Sequence, residues 1–234
     1  MPSTYLELCQ QLVEDAGISG EIVSVDNQTG ELKRVVDWVA RATTAVEGMW
    51  FNWDFLHVFH TFTTTIGVQD YPAPADFNLW DVSTGSIPAQ AQNLDYIQWT
   101  KKKRDPTAAV SGSPYMFTVL PDKALRLYDT PTTTQTIAIE YWKTPTTLSG
   151  NTSEPSIPAQ FRDIIVAKAL QYYANYESAD EAKIQAAEEF GLRLNQLQAS
   201  ELPAHQASSA INTGVDIQIQ VPFDSGDGGG GFDY

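Results

Sequence analysis

The sequence is poor in cysteine, in basic residues and in charged residues altogether. Its 234 residues include one cysteine, Cys9, which excludes a disulfide within one chain and any metal cluster built from cysteines. Lysine and arginine number 14 against 29 aspartates and glutamates, so the formal net charge is −15 at pH 7. This balance disfavours a free-standing nucleic-acid binder, because such a protein needs a basic face to neutralise phosphates.

Long apolar runs and familiar catalytic motifs are also missing. No run approaches the roughly 20 residues that span a bilayer. The first residues lack the basic and apolar regions of a signal peptide, so we expect synthesis in a cytoplasm and no membrane partner. The sequence contains no Walker A loop, no G-x-S-x-G and no H-E-x-x-H. We therefore predict no enzymatic activity and no cofactor.

Two helices are predicted near the start of the chain. The first covers residues 4–16, with Ser3 or Thr4 as its cap and Gly17 at its end, and its apolar face is formed by Leu6, Cys9, Leu12, Val13 and Ala16. On that face Cys9 is expected to be a buried core residue. The second runs from Gly30 to about Trp53 and places Glu47 off its apolar stripe, which comprises Leu32, Val35, Val36, Val39, Ala42, Val46, Met49 and Trp53.

The middle of the chain is rich in threonine, aromatic and β-branched residues and is interrupted by proline and glycine. This composition is typical of short strands. Pro121–Lys123 favours a hairpin turn between two of them. We predict antiparallel strands of a small sheet or barrel over residues 55–66, 94–99, 115–120, 124–128 and 136–142.

Helices return near residue 158. The first should begin at Pro158 and bury Phe161, Ile164, Ile165, Ala169, Tyr172 and Tyr176. Ser178 and Glu181 match a capping box that would open a second helix, ending before Pro203. The prediction is an α+β fold: a four-helix bundle from residues 1–54 and 156–202, an inserted small antiparallel β domain over 55–148, and an extended C-terminal arm over 203–234.

The histidines do not form an evident metal site. His57 and His60 make an H-x-x-H, but strand positions three apart point to opposite faces. No third ligand lies nearby in the sequence, and His205 has no evident partner. Metal ligands and catalytic residues are therefore both predicted to be absent.

Two segments are candidates for contacts with other molecules. Residues Lys101, Lys102, Lys103 and Arg104 form the one basic run, which is either a solvated loop or a docking contact with an acidic neighbour or with passing DNA. In the arm, apolar and polar residues alternate, a pattern suited to adding a strand to a partner's sheet edge. Its apolar residues are Val215, Ile217, Ile219 and Val221, followed by Phe223. Packing on its own domain and disorder remain open for this arm.

The order of several motifs resembles the head-to-tail adaptor proteins (connector, tail tubular A-like) of tailed bacteriophages. The likeness is carried by residues 12–20, by the helix ending in Trp50-Phe-Asn-Trp-Asp-Phe55, by Tyr71-Pro-Ala-Pro-Ala-Asp-Phe77, and by residues 125–131, 139–145 and 156–173. Together these motifs cover most of residues 4–200.

The resemblance implies a structural virion protein that is assembled in the host cytoplasm and sits at the head–tail junction. It implies a ring of twelve copies that joins the portal protein to the tail tube or nozzle protein and lines the DNA exit channel, with no sequence-specific DNA binding. It also implies a C-terminal extension that embraces the portal. The alternative is a tail-associated receptor- or carbohydrate-binding module, in which the aromatic residues of the β segment would stack against sugars.

Overall fold

The structure, a computed structural model, describes residues 4–86, 92–93, 111–112, 116–128 and 130–202. In this part of the chain, four helices flank a group of nine strands, and the fold is of the predicted α+β class. The helices are α1 (Tyr5–Ala16), α2 (Gly30–Glu47), α3 (Asp163–Glu177) and α4 (Asp180–Glu201). The strands are β1 (His57–Thr63), β2 (Asp70–Tyr71), β3 (Phe77–Ser86), β4 (Gln92–Asn93), β5 (Ser111–Gly112), β6 (Met116–Val119), β7 (Leu125–Tyr128), β8 (Thr130–Pro131) and β9 (Thr136–Lys143).

Helix α1 begins one residue after the predicted start and ends at Ala16 as predicted. Thr4 is the N-cap, and a reciprocal pair of hydrogen bonds joins it to Glu7. Gly17 ends the helix with a φ of 64°, a left-handed conformation that glycine adopts without steric cost. The buried face differs from the prediction, since Leu6 and Ala16 are only partly buried. It consists of Tyr5, Leu8, Cys9, Leu12 and Val13.

Helix α2 is shorter than predicted. It has 18 residues, which at the standard rise correspond to about 27 Å, and it ends at Glu47 rather than near Trp53. The amide of Gly48 closes the last turn on the carbonyl of Thr44, after which the chain turns. Trp53 is fully buried beyond the helix, where it contacts Trp50 and Phe55. Met49, predicted to lie on the apolar stripe, is exposed.

Helix α3 is the central element of the helical part of the chain. It packs against α1, α2 and α4, and α1 also packs against α2. A single-turn helix at Ala159–Phe161 precedes it, so the main helix begins five residues after Pro158. Ser178 adopts a left-handed conformation that ends α3, and it makes no capping box with Glu181. The capping-box prediction was therefore wrong.

A three-stranded antiparallel sheet, with strand order β1-β9-β3, connects the distant parts of the β segment. Strand β3 was not predicted, although its pairing with β9 completes this sheet. A second sheet has the order β2-β7-β6-β4 and contains the predicted hairpin around Pro121–Lys123. Two short pairs, β4 with β6 and β5 with β8, are parallel rather than antiparallel. The predicted strand at 94–99 lies outside the described residues.

The two sets of elements have separate apolar cores. The helices enclose one core together with Ile157, Leu148 and the buried Trp53. The strands enclose a second core formed by Tyr71, Trp80, Phe117, Leu125, Leu127, Ile137, Ile139 and Tyr141. Trp142, at the end of β9, packs against the helical core, so the central strand of the sheet contacts both groups.

The prediction that Glu47 lies off the apolar stripe of α2 was wrong, because this residue is completely buried. Its carboxylate accepts hydrogen bonds from the amide of Thr146 at 2.5 Å and from the amide of Ser156 at 2.7 Å. These two amides lie near the two ends of the segment that leads from β9 to α3. Burial raises the pKa of Glu47, and the hydrogen bonds from backbone amides oppose that rise.

We predict that Glu47→Ala lowers the free energy of unfolding by about 2 kcal/mol, because two partly buried amides lose their acceptor. Urea unfolding followed by circular dichroism would measure the change. Glu31→Ala, which removes an exposed carboxylate from the first turn of the same helix, is the matched control and should change the stability much less. Equal effects of the two substitutions would contradict this role of Glu47.

Candidate interaction surfaces

An arginine–aromatic surface runs along α2 and α3. The guanidinium of Arg34 lies 4.3 Å from the ring centroid of Tyr176, and that of Arg41 lies 4.8 Å from the ring of Tyr172. Arg34 also donates a hydrogen bond to the hydroxyl of Tyr176. The predicted burial of Tyr176 was wrong, because half of this residue is exposed. Arg34 and Arg41 are seven residues apart, about two helical turns, and therefore share one side of α2.

The chemistry of this surface suits an acidic protein partner. Cations held over aromatic rings keep their charge while their side chains are ordered by stacking. A shallow groove beside Arg41 is lined by Ala40, Thr44, Ala45 and Tyr172. Asp37 lies between the two arginines, so the patch is not uniformly basic, but it is richer in cations than a chain with a net charge of −15 is on average. The arginines of this patch can therefore attract and orient an acidic neighbouring protein.

A second surface is one face of the three-stranded sheet. Phe59 on β1 is 78% exposed and Leu79 on β3 is 43% exposed. Both share this face with Trp142, because Leu79 is paired with Trp142 and Phe59 with Glu140, two positions away on β9. Phe51 contacts Trp142 edge to face and is itself half exposed. Exposed aromatic and aliphatic side chains that lie close together are typical of protein contact sites.

Helix α4 carries two further exposed apolar residues, Ile184 and Leu192. They are eight residues apart, a little over two turns of the helix. Glu188 and Glu189 are adjacent carboxylates on the same helix. The two glutamates are exposed, and Glu189 pairs with Arg193, as expected for a solvated helix face.

The same sheet separates the two histidines of the H-x-x-H. His60 points into the β core, where it contacts Trp80 and Tyr141, and burial lowers its pKa. His57 lies on the opposite face, as the strand period predicts. There its Nε2 is 3.3 Å from Oδ2 of Asp81 and 3.2 Å from Oε2 of Glu140.

The sequence did not predict that His57, Asp81 and Glu140 lie close together. The two carboxylates lie 24 and 83 residues beyond His57, and pairing of three strands brings them together. The only signal in the sequence was the alternation within the β9 segment, which puts Glu140 on the face opposite to its buried neighbours Ile139 and Tyr141.

The residues predicted to contact partners cannot be placed on these surfaces. Lys101–Arg104 lie outside the described residues, as do Val215, Ile217, Ile219, Val221 and Phe223 of the arm, and His205. In the described part of the β segment, Tyr71, Trp80 and Tyr141 are buried in the core. These three rings are thus not available to stack against sugars, which weakens the carbohydrate-binding alternative.

These features define the class of the protein: an α+β protein whose notable surface features are aromatic, apolar and cationic patches suited to contacts with other proteins. No helix in the described ranges combines the length and apolar character needed to cross a membrane.

The family model for SU10 adaptor protein matches residues 3–213, nearly the whole chain. The chain therefore belongs to this family of phage head-to-tail adaptors, and the resemblance found in the sequence is confirmed. A phage structural adaptor interacts with portal and tail proteins and belongs to the virion. No curated protein matches the chain.

Cys9 offers a direct test of the helical core. The thiol is fully buried between α1 and its neighbours, and burial raises its pKa to about 12. We predict that the folded protein at pH 8 reacts with a thiol reagent much more slowly than the urea-unfolded protein, because the reactive thiolate is scarce and inaccessible. A Ser200→Cys variant, which adds a thiol at an exposed position of α4, should bind one equivalent rapidly. Equally rapid labelling of Cys9 would contradict its burial.

Proposed function

We propose that this protein is the head-to-tail adaptor of a tailed phage. It assembles as a ring between the portal and the tail tube or nozzle, and the family resemblance implies twelve copies. The observation that carries the proposal is the family match over residues 3–213. In this ring the four helices serve as a bundle formed by residues 1–54 and 156–202, and residues 55–148 serve as an inserted β domain. In this role the protein catalyses no reaction, and joining the portal to the tail requires no cofactor.

Lateral contacts between copies are assigned to the exposed apolar residues. Phe59 and Leu79 on the sheet, and Ile184 and Leu192 on α4, expose large side chains that gain free energy when a neighbouring subunit covers them. The arginine–aromatic surface of Arg34 and Arg41 faces an acidic region of a neighbouring protein. A low share of charged residues, 18% of the chain against the usual quarter or so, supports extensive coverage by other subunits.

The channel is proposed to conduct DNA without holding it. With 29 acidic and 14 basic residues per copy, a ring has an excess of negative charge that repels phosphates. DNA then slides instead of binding. A structure of the assembled ring would show which charged residues line the channel. A lining with a net positive charge would overturn the proposal that the channel repels DNA.

The C-terminal arm is proposed to clamp the portal or a neighbouring subunit. The family match ends at residue 213, so the alternating segment at Val215–Val221 lies beyond it. In an extended strand Val215, Ile217, Ile219 and Val221 point to one side, and the backbone amides and carbonyls are available to a sheet edge of the partner. Phe223 extends the apolar anchor.

Co-assembly with purified portal rings tests the arm. Deletion of residues 204–234 should abolish attachment as seen by electron microscopy, and Ile217→Asp with Ile219→Asp should weaken it strongly, because two charges would enter an apolar contact. The matched control is Gln218→Asp with Gln220→Asp, which adds the same two charges on the other side of the strand and should preserve attachment. Unchanged binding after the deletion would reject the clamp.

The basic run is proposed to dock onto an acidic neighbour. Replacing Lys101, Lys102, Lys103 and Arg104 by glutamine should weaken co-assembly at low salt, and the difference from the native protein should shrink as salt screens the contact. Sedimentation of the mixed complexes at several salt concentrations would measure this. Lys33→Gln, an exposed lysine paired with Asp37, is the control and should have little effect. Identical assembly of the quadruple variant at every salt concentration would show that the run is only solvated.

A further inference from the structure

The three-stranded sheet brings together three side chains able to bind a metal ion. His57 lies on β1, Asp81 on β3 and Glu140 on the central strand β9. Glu140 is paired with Asp81, and His57 is paired with Trp142, two positions from Glu140. Paired residues and residues two apart share a face, so all three side chains leave the sheet on the same side.

Their ligand atoms form a compact group. Nε2 of His57 is 3.3 Å from Asp81 Oδ2 and 3.2 Å from Glu140 Oε2, and one ligand atom of each residue lies within 4.8 Å of the other two. Nε2 is shielded from solvent and makes no well-aligned hydrogen bond to the described residues. A neutral imidazole nitrogen and two carboxylate oxygens are all electron-pair donors. Their meeting point therefore favours a cation, either a proton or a metal ion.

The spacing matches the coordination of zinc. Typical distances are about 2.0–2.2 Å from zinc to imidazole nitrogen or carboxylate oxygen, so neighbouring ligand atoms of a tetrahedral site are roughly 3.3–3.5 Å apart. The two separations that involve His57 are 3.2 and 3.3 Å, close to this value. Glu140 reaches the site through two methylene groups, whose rotation can adjust the distance between the carboxylates.

We propose that His57, Asp81 and Glu140 form a binding site for a divalent transition-metal ion of the zinc type. One imidazole with two carboxylates suits zinc, cobalt or manganese, whereas magnesium and calcium prefer sites made of oxygen alone. The ion carries the charge that balances two carboxylates beside a neutral imidazole. Three protein ligands leave one position for water, and the bound ion cross-links β1, β9 and β3.

The surroundings hold the ligands in place before an ion arrives. Trp142 stacks on the ring of His57 at a centroid distance of 4.7 Å and an interplanar angle of 20°. Asp81 is 7% exposed, so its side chain has little freedom to turn into solvent. Ligands carried by neighbouring strands of one sheet are kept at fixed spacing by the backbone ladder, which reduces the entropy lost on binding.

Metal binding to the full-length protein, first treated with a chelator, tests this site. Titration with cobalt should produce absorption bands of a protein-bound ion at one equivalent per chain, and zinc should displace it and raise the melting temperature. Asp81→Asn, Glu140→Gln and His57→Gln each remove one ligand with little change in volume. Each should weaken metal binding by at least about tenfold. Loss of a residue that only hydrogen-bonds to a metal ligand already lowers metal affinity by about that factor.

His60→Gln and His205→Gln are the matched controls, because they remove the other two histidines and should retain native affinity. Binding that survives both Asp81→Asn and Glu140→Gln would overturn the proposal, since the ion would then lie elsewhere on the acidic chain. So would failure of the folded native protein to bind cobalt and zinc stoichiometrically, which would leave a shared proton between the three groups. The measurement on the native chain keeps the test decisive even where a variant does not fold.

Discussion

The buried carboxylate of Glu47 is the interaction on which the joining of helices and strands depends. It is the last residue of α2, and it binds amides near both ends of the segment that runs from β9 to α3. One side chain thus ties together the end of a helix, the exit of the central strand and the approach to the central helix. Gly48 allows the tight turn that ends α2 directly after Glu47, because an added Cβ would lie 2.9 Å from the carbonyl oxygen of Thr44. The buried carboxyl group is tolerated in this interior because the backbone amides of Thr146 and Ser156 donate hydrogen bonds to it.

The helices and the strands on either side of this junction form two cores that differ in residue composition. The helical core is mainly aliphatic, with Trp53 as its largest fully buried side chain, whereas half of the buried residues in the core between the strands are aromatic. Strand β9 connects the two, since its Ile139 and Tyr141 lie in the core between the strands and its Trp142 packs on the helical core. Aromatic residues that in another protein would face a ligand are therefore largely used for packing in the described β segment. The exposed exceptions, such as Phe59, stand out as candidates for contact with neighbouring proteins.

Prediction from the sequence succeeded where a signal is local. The capped start and glycine end of α1, the hairpin at Pro121–Lys123 and strand β9 follow from spacing and turn residues within a few positions. Strand β3 was missed because its sequence alternates poorly and its extended form depends on pairing with β9. The end of α2 was misplaced because Trp53 is apolar and at helical spacing, although it reaches the core from a turn.

The sequence by itself determined the α+β class, the approximate positions of the four helices and of strands β1, β6, β7 and β9, and, through the order of its motifs, the adaptor family. These features are encoded by short-range periodicity and by residues with strong conformational preferences. Only the tertiary structure decided that Glu47 is buried and that His57 meets Asp81 and Glu140. Such contacts join residues up to about a hundred positions apart, and the strand register and helix ends that create them are selected by the whole core rather than by neighbouring residues.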